Sequence, residues 1–312
     1  MTAGPKGGPR KTVATGGNVV LRLGILGCDT SHVVEFTKRL HHVDVAQPLW
    51  VDGARVVAAW PGTSAIVPAD RVAGYIDRLS AMGVEIVGAP EDLHGKIDAL
   101  LVESQCGSDH RALAVPYLLQ GVPTFVDKPF ACTAEDATAM VEAAGRGGAP
   151  ILSASALRFA RETQSLGIGA IRGAFTYTPG ELHPLNPGLF HYGVHGVEQL
   201  YALMGPGCTT VRCVRTEGAD DVLGIWGDGR TGGVRALRGG AASFGFAAFG
   251  DKGNVARAID MTWPYSDMLR VIVRVLHGEP SPVSGPELIE AIAFQQAAIR
   301  SAEQDGRPVS LA

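Results

Sequence analysis

A cluster of ionisable side chains in the second half of the chain could transfer protons or bind a metal ion. Its members lie within 18 positions: Glu181, His183, His191, His195 and Glu198. On a helix over residues 190–204, His191, His195 and Glu198 are spaced i, i+4 and i+7 and share one face. Imidazole titrates near neutrality, so His195 suits acid–base catalysis, with His191 or Glu198 setting its tautomer.

Two other interpretations of this cluster stay open. Histidines four residues apart with nearby carboxylates are plausible ligands of a divalent metal ion, although no H-E-x-x-H pattern is present. The same side chains could instead be polar members of a helix–sheet interface. We predict catalysis by His195, with His191 reacting or shaping the pocket, substrate contacts from Glu181, His183 and Glu198, and no metal.

A lysine in the first half of the chain is placed for chemistry on a bound ligand. The run Asp127-Lys128-Pro129 follows a predicted strand, Val122–Val126. Ligands of open α/β sheets bind at the carboxyl ends of the strands. Proline stiffens the backbone after Lys128, and a held ammonium group suits proton transfer or polarisation of an oxygen. We therefore predict that Lys128 is catalytic.

The turn after the first predicted strand occupies the position of a dinucleotide-binding loop, but it departs from the G-x-G-x-x-G fingerprint. It consists of Gly27, Cys28, Asp29, Thr30, Ser31 and His32. Only Gly27 matches the fingerprint, because Asp29 takes the second glycine position and His32 the third. A carboxylate facing a pyrophosphate would reduce affinity unless it turned away to cap the next helix. The position of the turn predicts a cofactor site, although its glycine fingerprint is incomplete.

Residues at the ends of other strands of the same predicted sheet are further candidates for the cofactor site. Trp60 ends the second strand, where it could stack on an adenine or simply pack in the core. Ser104 and Gln105 follow the fourth strand, and we expect them, with Asp127, to contact the cofactor. Glu103 ends that strand, and a buried carboxylate is costly, so it should have a partner or a ligand.

The elements that must position these residues form two blocks. Apolar runs alternate with amphipathic segments up to about residue 154, which predicts a doubly wound parallel sheet of the Rossmann type. Strand-like segments with glycine-rich turns follow, which predicts an α+β domain with an open, mostly antiparallel sheet. The predicted divisions are a flexible tail at 1–18, a dinucleotide-binding domain at 19–155, a substrate and oligomerisation domain at 156–285, and a C-terminal helical segment at 286–312 that packs back on the first domain.

Composition narrows the classes of function. The chain has 312 residues and a net charge of −4, which suits two globular domains and argues against nucleic-acid binding. No apolar run is long enough for a membrane span. Five cysteines without a C-x-x-C pair favour a reducing cytoplasm over a disulfide framework.

These motifs resemble the Gfo/Idh/MocA family of oxidoreductases, which includes glucose–fructose oxidoreductase and inositol dehydrogenase. Asp127-Lys128-Pro129 resembles the family's E-K-P, Ser104 to His110 its T-P-x-x-x-H, and Gly193 to Glu198 its D-x-G-x-H-x-x-D. The resemblance covers about residues 19–310. It departs from the family where His191 stands in place of an aspartate and in the incomplete glycine fingerprint.

The resemblance implies hydride transfer, with NAD or NADP, at a CH–OH carbon of a sugar, cyclitol or polyol. It implies that Lys128 holds the substrate hydroxyl and that His195 is the acid–base. A non-redox lyase, isomerase or binding protein on the same fold is the alternative, because the turn is degraded.

Three further residues are weaker candidates for substrate binding. Arg158 could clamp an anionic substrate or pair with a carboxylate of its own chain. Tyr177 and Tyr192 could line the pocket or belong to the core. An open sheet with an apolar outer face would also suit subunit pairing, so we expect a homodimer or homotetramer that binds a small molecule.

Overall fold

The computed structural model describes residues 19–241 and 243–311. Six parallel strands form the first sheet: β1 (Leu21–Leu26), β2 (Ala54–Trp60), β3 (Glu85–Ile86), β4 (Ala99–Val102), β5 (Thr124–Val126) and β6 (Ile151–Leu152). Their order across the sheet is β3-β2-β1-β4-β5-β6. Strands β4 and β5 are buried along their whole length, as expected for a parallel sheet covered on both faces. The predicted Rossmann-type sheet is confirmed.

Four helices connect these strands: α1 (His32–His41), α2 (Ala69–Ala81), α3 (His110–Leu118) and α4 (Ala134–Gly147). The Thr133 hydroxyl caps α4 by accepting a hydrogen bond from the Asp136 N–H. Because α1 follows β1 directly, its first residue reaches the carboxyl edge of the sheet beside β4 and β5. That edge carries most of the predicted site.

The second sheet has seven strands in the order β12-β11-β7-β10-β9-β8-β13. They are β7 (Ile171–Pro179), β8 (Cys208–Arg215), β9 (Ala219–Trp226), β10 (Thr231–Leu237), β11 (Gly245–Gly250), β12 (Asn254–Ala258) and β13 (Val309–Ser310). Only the β7–β10 pair is parallel, which confirms an open, mostly antiparallel sheet. Strands β12 and β13 are additions to the sequence prediction.

Helix α5 (Val194–Met204) covers the inner face of this sheet and brings His195 toward the first sheet. Gly196 permits the close approach, because a Cβ there would lie 2.7 Å from a Val234 methyl group. The Thr176 hydroxyl donates a hydrogen bond to the Gly196 carbonyl at 2.9 Å. The helix begins at Val194 rather than at residue 190, so the prediction that His191 shares a helical face with His195 and Glu198 is wrong.

Two further helices lie between β12 and β13 in the chain. Helix α6 (Pro264–Leu276), which the sequence analysis missed, buries Met268, Leu269 and Ile272 in the core of the first sheet. Helix α7 (Gly285–Glu303) begins at a Ser284 cap, as the proline at position 286 indicated. Helix α7 contacts the layers of both sheets. Gln296 accepts a hydrogen bond from the N–H of Ala134 on α4, and Ser301 accepts one from the N–H of Cys213 on β8. Within the described residues, none of the helices has the length and hydropathy of a membrane span.

The predicted flexible tail at residues 1–18 lies outside the described residues.

Candidate active site

A cavity of about 280 Å³ lies between the carboxyl edge of the first sheet and the α5 side of the second. It brings together eleven of the residues singled out from the sequence: Asp29, Thr30, Ser31, His32, Gln105, Lys128, Glu181, His183, His191, Tyr192 and His195. These side chains come from three strand ends and from the segment that leads into α5. We call this space the main cavity.

Lys128 is buried at the edge of the main cavity, on the segment after β5. Within the described part of the chain, its ammonium group has no hydrogen-bond or ion-pair partner within contact distance. Buried ammonium groups are normally paired, so an unpaired one facing a cavity is available to a ligand. Lys128 therefore presents a free hydrogen-bond donor to the main cavity.

His195 enters the same cavity from the first turn of α5. Its Nδ1 lies 2.7 Å from the Ser155 hydroxyl, which also accepts a hydrogen bond from the Leu157 N–H. Burial lowers the pKa of His195 well below its usual value, and the charges of Lys128 and His32 lower that pKa further. The imidazole is thus neutral at pH 7 and can accept a proton at Nε2.

His191 lies in the turn that precedes α5, beside His183. The two rings are 5.3 Å apart, and Nδ1 of His191 is buried with no partner among the described residues. Burial and the nearby His183 lower the pKa of His191 to about 4. His191 is therefore a neutral, polar part of the cavity wall at pH 7.

His32, at the third position of the glycine fingerprint, points under Lys128 into the first domain. Its Nδ1 lies 2.8 Å from the Asp127 carboxylate, and its Nε2 lies 3.2 Å from the Tyr265 hydroxyl. Burial would raise the pKa of Asp127, but the charges of His32 and Lys128 and the hydrogen bond from His32 lower that pKa to about 2. The three side chains form a chain of polar contacts from the cavity to the end of β5.

Glu103 lies beside this chain at the end of β4 and is fully buried. Both of its carboxylate oxygens lack a partner among the described residues, and so does Oδ1 of Asp127. Burial and the charge of Asp127 raise the pKa of Glu103 well above its usual value. The described residues thus supply no hydrogen-bond partner for Glu103, and the expectation that it has a partner or a ligand stays a prediction.

Asp29 accepts hydrogen bonds from two neighbouring loops. One carboxylate oxygen accepts a hydrogen bond from the Gln105 N–H at 2.8 Å, and the other accepts one from the Ser64 hydroxyl at 2.7 Å. It therefore links the loops after β1, β2 and β4, and it does not cap α1. Gly27 adopts φ +85°, and a Cβ there would lie 2.7 Å from Ser104 N, so only glycine suits this turn.

A second cavity of about 280 Å³ lies on the other side of Gly27. It is lined by Trp60 and Ser104, two of the predicted cofactor-binding residues, together with Gly62, Thr63 and Asp109. Cys28 is buried behind it, with its thiol near the Trp60 carbonyl, and burial raises the pKa of this thiol to about 12. Cys28 is therefore an inert packing residue.

Three predicted substrate-binding residues lie outside both cavities. Arg158 is buried, and it donates to Glu198 at 2.9 Å and to Glu287 at 2.6 Å. Arg158 thus pairs with carboxylates of its own chain, the second of the two roles considered for it. Tyr177 lies on the opposite face of the second sheet, in a separate groove of about 770 Å³.

Sequence reasoning missed several residues of the site. Tyr265 and Arg71 line the main cavity, and Ser155 supports His195. Buried Asn186 donates to the Gln105 carbonyl and thereby ties the segment before α5 to the loop after β4. Only Ser155 carried a local signal, since it follows β6 at the carboxyl edge of the first sheet.

Comparison with known proteins identifies the fold. No protein-family model matches the sequence, and a search of curated proteins found no match either. Solved structures match almost the whole chain. A putative myo-inositol dehydrogenase from Sinorhizobium meliloti has 17% identity and a TM-score of 0.75, over 94% of this chain and 100% of that one.

Two enzymes from Lactobacillus casei are similar to the same extent. The myo-inositol dehydrogenase, solved with NAD(H) and myo-inositol, has 18% identity and a TM-score of 0.74, over 94% of this chain and 97% of that one. The scyllo-inositol dehydrogenase, solved with NAD(H) and scyllo-inositol, has 15% identity and a TM-score of 0.74, over 94% and 99%. The chain therefore has the fold of inositol dehydrogenases and related oxidoreductases, which confirms the Gfo/Idh/MocA resemblance at the level of fold.

Proposed function

We propose that this protein is an NAD(P)-dependent oxidoreductase acting on a CH–OH or C=O carbon of a sugar-, cyclitol- or polyol-like substrate. The observation that carries the proposal is the convergence of Lys128, which follows β5, and His195, on helix α5, on one cavity. Lys128 offers an unpaired ammonium group, and His195 offers a neutral imidazole. An alcohol that loses a hydride must also lose its hydroxyl proton, and this pair suits that step.

The crevice fits a dinucleotide at both ends. Gly27 gives the tight turn, Trp60 and Ser104 line a cavity for the nucleoside, and Thr30 and Ser31 face the main cavity near the start of α1. When bound, a nicotinamide dinucleotide supplies the acceptor or donor of the hydride. Similar solved structures that contain NAD(H) support this choice of cofactor.

His195 would take the hydroxyl proton in oxidation and return it in reduction. The Ser155 hydroxyl can support both roles, because it can accept a hydrogen bond from Nδ1–H or donate one to an unprotonated Nδ1. The imidazole can thereby change its tautomer without losing a partner. Lys128 would donate to the same substrate oxygen and stabilise the negative charge that develops on it.

The polar lining of the main cavity favours a substrate with several hydroxyl groups. Glu181, His183, His191 and Tyr192 offer acceptors and donors on the wall opposite Lys128. Structures of similar fold that contain inositols support this substrate class. A small polyhydroxylated ring or chain would satisfy these groups better than an apolar substrate would.

One observation favours a non-redox lyase, isomerase or binding protein as a second candidate. The Asp29 carboxylate lies in the turn that a pyrophosphate would approach, and it already accepts two hydrogen bonds there. Repulsion between Asp29 and a diphosphate would weaken dinucleotide binding. In this alternative, Lys128 and His195 would act on a carbonyl-containing substrate without hydride transfer.

The proposal includes pairing with a second copy of the chain. The outer face of the second sheet exposes Phe175 and Val214, at 45% and 59%, beside a groove of about 770 Å³. Arg235 and Asp221 on the same face form an ion pair, and both charge signs suit a self-complementary contact.

All five cysteines are free thiols, which supports a location in the cytoplasm.

The proposal is tested by turnover of polyols and cyclitols with NAD or NADP by the wild-type protein and two variants. Lys128→Met and His195→Asn should each reduce kcat about 100- to 10,000-fold. Their melting temperatures identify any loss of activity that comes from unfolding. Full activity in a folded His195→Asn variant would remove the acid–base role.

A further inference from the structure

The buried side chains beneath Lys128 form a cluster that the proposed reaction does not use. His32, Glu103 and Asp127 come from the start of α1 and the ends of β4 and β5. Each offers a ligand atom, and these atoms all lie within 4.8 Å of one another. Neighbouring elements of the sheet, in the order β1-β4-β5, thus bring one imidazole and two carboxylates to one point.

The cluster lacks the partners that buried carboxylates normally have. Glu103 and Asp127 are both fully buried, at 0% exposure. Both oxygens of Glu103 and Oδ1 of Asp127 are unpartnered within residues 19–241 and 243–311. Asp127 is paired with His32 through its other oxygen, but three buried carboxylate oxygens without a partner at one point are costly and indicate a missing positive group.

The surrounding charges also point to a cation. Asp29 and Asp127 both lie close enough to act electrostatically on Glu103, and Lys128 opposes them. With Asp29, Glu103 and Asp127 ionised and His32 neutral, as a metal-bound imidazole must be, one ammonium group leaves an excess of two negative charges. A divalent cation would offset that excess, whereas the lysine alone would not.

We propose that His32, Glu103 and Asp127 bind a divalent transition-metal ion, Zn²⁺ or Mn²⁺. One imidazole nitrogen with two carboxylates suits these ions, while Mg²⁺ and Ca²⁺ prefer oxygen ligands only. In this arrangement the ion displaces the proton between Nδ1 of His32 and Oδ2 of Asp127, which lie 2.8 Å apart, and this proton is released to solvent. The Nε2–H of His32 then donates to the Tyr265 hydroxyl, which lies 3.2 Å away. Such a hydrogen bond from the second ring nitrogen is the usual support of a metal-bound histidine.

The site does not depend on the proposed dehydrogenase activity, because the proposed reaction assigns no role to His32, Glu103 or Asp127. It would hold the loops that carry His32 and Lys128 at a fixed distance. Its test therefore uses binding rather than turnover.

The experiment uses the full chain, freed of any affinity tag and dialysed against a chelator. Zn²⁺, Mn²⁺ and Mg²⁺ are each titrated by calorimetry, and metal content is measured by mass spectrometry. Glu103→Gln removes one ligand with little change of shape, and Glu142→Gln is the matched control, since Glu142 is an exposed carboxylate on α4, away from the main cavity. We expect one Zn²⁺ or Mn²⁺ per chain in the wild type and in Glu142→Gln, and at least about tenfold weaker binding in Glu103→Gln.

Melting temperatures measured with and without the metal give a second, independent readout of ion binding. Zn²⁺ or Mn²⁺ should raise the melting temperature of the wild type and leave that of Glu103→Gln unchanged. Asp127→Asn replaces Glu103→Gln if the latter does not fold. Two results would overturn the proposal. The first is that the wild type binds no ion and Glu103→Gln is equally stable, which indicates a proton shared between Glu103 and Asp127. The second is that the wild type and the ligand variant bind the ion equally well.

Discussion

The Ser155 hydroxyl lies 2.7 Å from Nδ1 of His195 and also accepts a hydrogen bond from the Leu157 N–H. The serine side chain is therefore held in place by the backbone that follows β6, and it holds the imidazole in turn. Because Ser155 lies on the first-sheet side and His195 on α5, this contact holds the imidazole of His195 against the layer of the first sheet.

Ser155→Ala should reduce kcat about 10- to 100-fold with little change in KM. The variant removes the group that orients the imidazole but leaves His195 and Lys128 in place. Steady-state kinetics with the best polyol substrate would measure this. Ser153→Ala, on the same segment, is the control and should keep its activity. A purely structural role for Ser155 would instead lower stability and leave kcat unchanged.

Arg158→Met should destabilise the protein by about 3–5 kcal/mol, because Glu198 and Glu287 would remain buried without their partner. Urea unfolding measures this loss. The triple variant Arg158→Met, Glu198→Gln, Glu287→Gln should recover much of it, since no buried charge is then left unpaired. An increase in KM with unchanged stability would show instead that Arg158 contacts the substrate.

Acidification should destabilise the protein through His191. The folded-state pKa of this histidine, about 4, lies below its unfolded value, so the neutral ring favours the folded state. Its contribution is complete above about pH 6.5 and is lost as the pH falls toward 4. We expect a difference of about 1 kcal/mol, after allowing for solvent screening at this half-buried ring.

Thermal unfolding of the wild type and of His191→Gln between pH 7.5 and 4.5 measures this effect. The stability of the variant should depend less on pH. Parallel curves for the two proteins would mean that His191 is equally protonated in the folded and unfolded states.

Asp29→Asn should bind dinucleotides about three- to tenfold more tightly than the wild type, because about 1 kcal/mol of repulsion with the diphosphate is removed. Asparagine can still accept the Gln105 N–H and can donate to Ser64, so the loops should stay together. Fluorescence titration with the reduced cofactor is the measurement. Asp70→Asn, an exposed position at the start of α2, is the control. Weaker binding in Asp29→Asn would mean that the carboxylate is needed by the site.

The sequence predicted the parallel sheet well because its strands are continuous apolar runs bounded by turn residues. It failed at α6, where Val271, Ile272, Val273 and Val275 favour strands by local propensity. Packing against the first sheet decides in favour of the helix there. Helix α5 begins at Val194 because the chain first forms a short turn that buries Leu189 and Phe190.

The candidate site was predictable where its residues follow strands and hidden where contacts are long-range. Lys128, Gln105 and Asp29 follow strands of one parallel sheet, so their convergence follows from topology. Tyr265 meets His32 across 233 positions of sequence, and no local pattern indicates such a pair. The partnership of Arg158 with Glu287 is hidden for the same reason.

The most direct test of the account is a titration of the purified protein with NADH and with NADPH, followed by nicotinamide fluorescence. We predict saturable binding of one of them with a Kd of about 1–100 μM, and weaker binding in Trp60→Ala, which alters the nucleoside cavity. Absence of binding of either cofactor at about 1 mM would contradict hydride transfer. It would leave Lys128 and His195 as the centre of a non-redox site.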